Sequence, residues 1–173
     1  MKIVALLGSP HKKGSSNLLA EQFIKGAQEA GHTVETLDVA HMNIRPCVAC
    51  NACKASGECV QKDDMVAVRA ALESADLIAL VTPVYYMNMS AQLKLVIDRF
   101  YAFGEKLKGK KTVLITASAS ENITGILVEN YKAIDSYLGL EDRGMVLGEG
   151  CPVPPVTAGS PFVGKAYEFG KSL

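Results

Sequence analysis

Residues 2–17 read KIVALLGSPHKKGSSN, an apolar run followed by a loop rich in glycine, serine and lysine. The apolar run shows little alternation of polar and apolar residues, which is typical of a parallel strand covered on both faces. Beyond the loop, Leu19, Phe23 and Ala27 recur at helical spacing. The stretch therefore predicts a buried strand, a loop and a helix, which is the first unit of an α/β fold.

Extended and helical patterns alternate along the rest of the chain. The strands predicted from these patterns are Lys2–Leu7, Thr33–Val39, Leu77–Thr82, Thr112–Ser118 and Arg143–Glu149. Five amphipathic helices are predicted to follow them, with Asp63 or Asp64 capping the second, Ser90 the third and Ser160 the last. The alternation predicts a doubly wound parallel sheet with right-handed crossovers.

The charge balance and the apolar runs of the chain bear on which partners it can bind. Lys plus Arg equals Asp plus Glu, at 18 each among 173 residues, so no charge excess favours nucleic acid or an anionic membrane. No signal peptide is predicted, and no apolar run approaches the roughly 20 residues that span a bilayer. We expect one domain over residues 1–173, located in the cytoplasm, without a nucleic-acid or membrane partner.

A doubly wound sheet binds its ligand beyond the carboxyl ends of its strands. The predicted loops there are Gly8–Asn17, Pro83–Asn88 and Ala117–Asn122. The first can direct hydroxyls and backbone N–H groups to an anion at a helix N-terminus. It contains no G-x-G-x-x-G, and Ser15 follows Gly14 where a triphosphate loop would have lysine, so a single phosphate monoester fits best. The alternative is an ordinary turn in which Ser16 or Asn17 only caps the helix.

Six short motifs extend over nearly the whole chain. They are GSP at 8–10, GSS at 14–16, TPVYY at 82–86, SAQLK at 90–94, IDR at 97–99 and AYEFGK at 166–171. On these motifs the chain resembles the NADPH-dependent FMN reductase family and its iron–sulfur flavoprotein branch. The resemblance implies a flavodoxin-like three-layer sandwich, with a five-stranded parallel sheet in the order 2-1-3-4-5 and helices on both faces.

The resemblance also implies FMN as cofactor, with the phosphate on the first loop and the isoalloxazine ring along the second. The residues implied near the phosphate are Ser9, His11, Lys13, Ser15, Ser16 and Asn17. The residues implied beside the ring are Pro83, Val84, Tyr85, Tyr86, Met87 and Asn88. His11 departs from the arginine that the family more often has, and Lys12 or Lys13 can supply that charge.

The residues of the second and third loops suit a flavin ring. Tyr85 and Tyr86 offer flat amphipathic surfaces, and exposed backbone amides can bond the ring edge that becomes negative on reduction. The alternative for the tyrosines is core or interface packing. Ala117 and Ser118 are expected to form a third wall. Asp98 and Arg99, on a helix body, are expected in a structural ion pair or a subunit contact rather than in catalysis.

Four of the five cysteines form a C-x2-C-x2-C-x5-C pattern within residues 46–60. Three closely spaced thiolates can reach separate irons of a 4Fe-4S cluster while a fourth arrives from the flank. The ligands predicted in this way are Cys47, Cys50, Cys53 and Cys59. Zinc is a weaker alternative, because structural zinc sites generally use two separated cysteine pairs. Reactive or buried thiols without metal remain a further alternative, and Cys151 is expected to be inert.

The predicted function is that of an iron–sulfur flavoprotein, which passes electrons from NAD(P)H or another donor through FMN to a cluster or acceptor. No side chain is expected to act as a catalytic residue, since the chemistry is carried by FMN. Two alternatives remain: a cluster-free NAD(P)H-dependent FMN or quinone reductase, and a noncatalytic electron carrier or redox sensor. The acceptor is expected to be a small molecule or protein, and the resemblance implies a homodimer or homotetramer.

Overall fold

The computed structural model describes residues 1–173 and contains one sheet. Its strands are β1 (Lys2–Leu7), β2 (Thr33–Leu37), β3 (Leu77–Pro83), β4 (Lys111–Ala117) and β5 (Glu141–Gly148). All neighbouring strands are parallel, in the order β2-β1-β3-β4-β5. The predicted sheet and its strand order are confirmed, with strand ends shifted by at most two residues.

The helices include the five that the sequence predicts and two short ones that it does not. They are α1 (Ser15–Glu29), α2 (Ala52–Ser56), α3 (Met65–Ser74), α4 (Ala91–Arg99), α5 (Gly125–Leu138), α6 (Pro154–Ala158) and α7 (Pro161–Lys171). Two 3-10 turns follow α4, at Phe100–Ala102 and Gly104–Leu107. The helices α2 and α6 have 5 residues each, too few to show a helical period in sequence. None of the helices combines the length and apolarity that crossing a bilayer requires.

Helices cover both faces of the sheet, which produces the three layers. Alternate residues of β1 point to opposite faces. Ile3 belongs to the buried cluster that includes residues of α1 and α7, and Val4 belongs to the cluster that includes residues of α3, α4 and α5. The contact between α1 and α7 depends on two glycines. A Cβ atom at Gly26 would lie 2.1 Å from the carbonyl oxygen of Tyr167, and one at Gly170 would lie 2.0 Å from that of Phe23.

The strand order reverses at β1, and at that point Ser90 links the carboxyl ends of β1 and β3. The buried Ser90 hydroxyl donates to the carbonyl oxygen of Gly8 at 2.6 Å and accepts from the backbone N–H of Leu93 at 3.3 Å. Its own N–H donates to the Thr82 hydroxyl at 2.8 Å. Ser90 therefore caps α4, as predicted, and also ties the ends of β1 and β3 together. Of the other predicted capping residues, Asp63 accepts from the N–H of Met65 at the start of α3. Ser160 makes no capping bond to α7.

A buried acid lies at the opposite edge of the sheet. Asp135 on α5 is 3% exposed, and its Oδ2 accepts from the Thr112 hydroxyl at 2.5 Å while its Oδ1 has no partner. Burial raises the pKa of Asp135 to about 6, because the Thr112 hydrogen bond offsets only part of the desolvation. The folded protein therefore binds a proton more tightly at this carboxyl than the unfolded chain does.

Asp135→Asn is expected to change the pH dependence of stability. An unfolded aspartate has a pKa of about 3.9, so the contribution of Asp135 to the free energy of unfolding should fall as pH rises from about 4 to about 6 and level off above that. The variant lacks this proton uptake and should gain roughly 1–3 kcal/mol relative to wild type between pH 4 and pH 7. Urea denaturation at pH 4, 5, 6 and 7 measures the difference. The control Asp98→Asn removes an exposed carboxylate, and equal pH profiles for wild type and Asp135→Asn would contradict the assignment.

Candidate functional site

A cleft of about 560 Å³ opens at the carboxyl ends of β1, β3 and β4. The predicted site residues that line it are Ser9, His11, Lys13, Ser15, Ser16, Pro83, Val84, Tyr85 and Ala117. The predicted site residues outside its lining are Asn17, Tyr86, Met87, Asn88 and Ser118. Residues from loops far apart in sequence thus meet at the switch point, where a doubly wound sheet is expected to bind its ligand.

The loop between β1 and α1 has the features of an anion site. The backbone N–H groups of Ser15, Ser16 and Asn17 have no acceptor in the chain, as at the start of any helix. The Ser16 hydroxyl is buried without a hydrogen-bond partner. A buried hydroxyl without a partner is costly in a folded protein, so it marks a place where a ligand atom would complete the hydrogen bonding. Exposed Lys12 and Lys13 add positive charge at the rim.

Asn17 has a structural part in the same loop. Its Nδ2 donates to the carbonyl oxygens of His11 at 3.3 Å and Lys12 at 3.1 Å. These bonds fold the loop back over the start of α1. Ser9 acts similarly, because its Oγ accepts from the N–H of His11 at 3.2 Å. Both side chains therefore shape the loop from inside.

A strained turn forms the second wall. The N–H of Tyr85 donates to the carbonyl oxygen of Asn88 at 2.9 Å, and the reverse bond measures 3.1 Å. Between them Tyr86 and Met87 have φ angles of 46° and 63°, a left-handed conformation that costs non-glycine residues about 1 kcal/mol or more each. The N–H groups of Tyr86 and Met87 have no acceptor in the chain. Asn88 fixes the turn from outside the cleft, by accepting from Asn130 Nδ2 at 2.9 Å.

The loop after β5 supplies a wall that the sequence analysis missed. Cys151, Pro152, Val153 and Pro154 line the cleft, and the N–H of Cys151 donates to the carbonyl oxygen of Ser118 at 2.7 Å. Because β5 neighbours β4, its carboxyl end lies at the same edge as the other three loops. The available signal was the run CPVPP at 151–155, which follows the last predicted strand after one intervening residue. The Ser118 hydroxyl itself bonds the carbonyl oxygen of Ser120 and does not line the cleft.

Comparison with known proteins identifies the family of the chain that contains this cleft. The family model described as NADPH-dependent FMN reductase matches residues 1–140. The chain belongs to the NADPH-dependent FMN reductase family. It is thus an FMN-dependent oxidoreductase of the NAD(P)H-using class.

The chain is also similar to individual flavoproteins and reductases. An iron–sulfur flavoprotein of Archaeoglobus fulgidus is 34% identical, over 100% of this chain and 79% of that protein. One from Methanocaldococcus jannaschii is 34% identical over 70% of this chain and 64% of its own length, slightly less than two thirds. Among solved structures, an NAD(P)H:quinone oxidoreductase from Methanothermobacter marburgensis has a TM-score of 0.76 at 23% identity, covering 99% of this chain and 95% of that one. The structural likeness confirms the flavodoxin-like fold.

The cysteine segment lies apart from the sheet, beside α3 and α4. All four predicted ligands, Cys47, Cys50, Cys53 and Cys59, line one small pocket. The loop curls through left-handed conformations at Ala49 and Asn51, with φ angles of 52° and 59°, and Cys53 lies on α2. No three cysteine, histidine, aspartate or glutamate side chains are grouped so as to hold a metal ion. The loop therefore gathers the thiols to one side of the molecule without forming a ligand set.

A buried ion pair holds both ends of this segment. Arg99 donates to Asp63 with N···O distances of 2.8 and 3.2 Å, and to the carbonyl oxygen of Arg45 at 2.9 Å. Arg45 precedes the first of the four cysteines and Asp63 follows the last. Arg99 is 2% exposed, and its guanidinium holds the pKa of Asp63 below the ordinary value against the effect of burial. Arg99 is thus structural, as expected, whereas Asp98 pairs separately with Lys94.

Arg99→Gln is expected to lower the free energy of unfolding by at most about 3–5 kcal/mol, because Asp63 would lose its buried charged partner and keep only backbone donors and the exposed Arg45, whose Nε lies 3.8 Å away. Lys94→Gln is the matched control. Its pair with Asp98 is exposed, and such pairs contribute about 0–1 kcal/mol. Urea denaturation gives both values, and limited proteolysis should show faster cleavage within residues 46–62 in Arg99→Gln alone. Equal effects of the two variants would contradict a stabilising role of the Arg99–Asp63 ion pair.

Proposed function

We propose that the cleft binds FMN, with the phosphate on the loop that precedes α1 and the isoalloxazine ring against the turn after β3. NAD(P)H is the proposed electron donor, and a small molecule or protein is the acceptor. The observation that carries this proposal is the Ser16 hydroxyl, which is buried without a partner beside unpaired backbone N–H groups at a helix N-terminus. A phosphate would satisfy these donors, and membership of the FMN reductase family supports FMN as its source.

The phosphate loop suits a dianion for electrostatic reasons. The N-terminus of α1 carries the positive end of a helix dipole, equivalent to roughly half a charge. Ser15 and Ser16 provide hydroxyl donors. Their backbone N–H groups, like those at the start of any helix, point beyond the N-terminus, where the phosphate would lie. Lys12 and Lys13 can lie near a bound phosphate without entering the loop. His11, exposed at the rim, is placed to add a further donor.

The turn after β3 suits one edge and one face of a flavin. Pro83, Val84 and Tyr85 offer a mainly apolar wall that would exclude water from one face of the ring. The free N–H groups of Tyr86 and Met87 can donate to ring atoms that gain negative charge on reduction. FMN, when bound, supplies the capacity to accept a hydride and release electrons. Binding and orientation are thus the tasks of the chain's own residues, none of which needs to act as a nucleophile.

We further propose that Cys47, Cys50, Cys53 and Cys59 hold a 4Fe-4S cluster that receives electrons from the flavin. Their placement around one pocket supports this, as do the names of the relatives. Thiolates are the ligands that iron–sulfur clusters use. The buried guanidinium of Arg99, which pairs with Asp63, lines the same pocket.

A cluster-free reductase is the second candidate. The observation that favours it is that the four thiols are not grouped as metal ligands. In that case the flavin alternates between donor and acceptor, and the cysteines are spare thiols.

We also propose that the protein acts as a homodimer or homotetramer. The Tyr86 side chain is 99% exposed at the tip of the strained turn, beside the half-exposed Tyr85 and Met87. Large apolar side chains grouped at the mouth of a cleft are typical of an interface.

Ser16→Ala is expected to weaken FMN binding by about tenfold or more, because a hydrogen bond to a charged group contributes about 1.5–3 kcal/mol. Riboflavin lacks the phosphate, and its affinity should change less than twofold. Fluorescence titration of the flavin-free protein measures both. Ser136→Ala, on the exposed side of α5, is the control. A wild-type protein that binds neither flavin, or that binds both equally, would refute the phosphate site.

Anaerobic reconstitution with iron and sulfide tests the cluster. Wild type should take up about four irons and four sulfides per chain, whereas Cys59→Ala should lose most of both and retain FMN. Cys151→Ala, outside the motif, should keep the full iron content. Full FMN with no iron in wild type would favour the cluster-free reductase.

A further inference from the structure

The hydroxyl of Thr157 is fully buried and lies behind the proposed phosphate loop. Thr157 belongs to α6, beyond residues 1–140 to which the family model applies. Its Oγ1 lies 2.8 Å from the Oγ of Ser15 and 3.1 Å from the carbonyl oxygen of Val153. A side chain from the end of the chain thus contacts the first residue of α1.

The hydrogens of this contact can be counted. A hydroxyl has one hydrogen and a carbonyl oxygen can only accept. If Thr157 donates to Val153, Ser15 must donate its own hydrogen to Thr157. If Thr157 donates to Ser15, the hydrogen of Ser15 is free to point into the cleft. The two arrangements differ in what Ser15 can offer a ligand.

The carbonyl oxygen of Val153 does not depend on Thr157 Oγ1. It also accepts from the backbone N–H groups of Val156 and Thr157, both at 3.1 Å. Turning the Thr157 hydroxyl toward Ser15 therefore leaves no buried acceptor unpaired. An anion in the cleft attracts donors, so it favours the arrangement in which Ser15 donates to it.

We propose that Thr157 is a positioning residue for the FMN phosphate, which it serves by donating to Ser15 so that the Ser15 hydroxyl donates into the cleft. The inference rests on the proposed FMN site and extends it to a segment outside the matched family region. The segment after β5 would then contribute to phosphate binding as well as lining the cleft. Thr157 itself does not line the cleft, so its effect passes through Ser15.

The test compares the affinities of flavin-free protein for FMN and riboflavin by fluorescence titration. Thr157→Val keeps the shape of the side chain and removes the hydroxyl. It should weaken FMN binding by about tenfold and riboflavin binding by less than twofold, whereas Thr157→Ser should restore FMN binding. In a Ser15→Ala background, Thr157→Val should have no further effect, because the residue through which it acts is gone.

The control is Ser160→Ala, which removes a hydroxyl that donates to the carbonyl oxygen of Thr157 at 2.7 Å and should leave both affinities unchanged. If Thr157→Val does not fold, Thr157→Ala replaces it. Unchanged FMN affinity, equal weakening for both flavins, or an undiminished effect in the Ser15→Ala background would overturn the inference. Wild-type protein that does not distinguish FMN from riboflavin would instead overturn the proposed function.

Discussion

The hydrogen bond from the buried Ser90 hydroxyl to the carbonyl oxygen of Gly8 fixes the geometry on which the site depends. It joins the end of β1, where the first loop starts, to the start of α4, where the second loop ends. Gly8 permits the contact, since a Cβ atom there would lie 2.7 Å from that of Leu93. The loops proposed for the phosphate and for the ring are thereby held at a set separation by rigid elements, which favours precise binding.

Two buried polar contacts hold the cysteine segment and the loop after β5 in place outside the sheet. Arg99 and Asp63 fasten both ends of the cysteine segment to α4 and α3 through a buried ion pair. The contact between Thr157 and Ser15 fastens the loop after β5 to the start of α1. Both segments consist largely of loop and one-turn helices, which have little stability of their own. Their positions are therefore set by these few buried polar contacts.

The sequence patterns predict the parallel sheet and the loops of the cleft, because buried parallel strands and amphipathic helices have distinct patterns. The strand order is implied by the resemblance to the family. The sequence does not predict the pairing of Arg99 with Asp63, since these residues are far apart in the chain and only packing brings them together. The wall at 151–154 was missed because no periodic pattern marks it. The left-handed turn at Tyr86 and Met87 contradicts local preference, so sequence alone could not reveal it.

The most direct measurement is phosphorus NMR of FMN bound to the protein between pH 5 and pH 8. A phosphate monoester in solution has a second pKa of about 6. A phosphate held by helix N–H groups and serine hydroxyls should stay a dianion, so that its resonance remains constant over this range. A resonance that titrates as in free FMN would show that the phosphate lies in solvent, and would contradict the account.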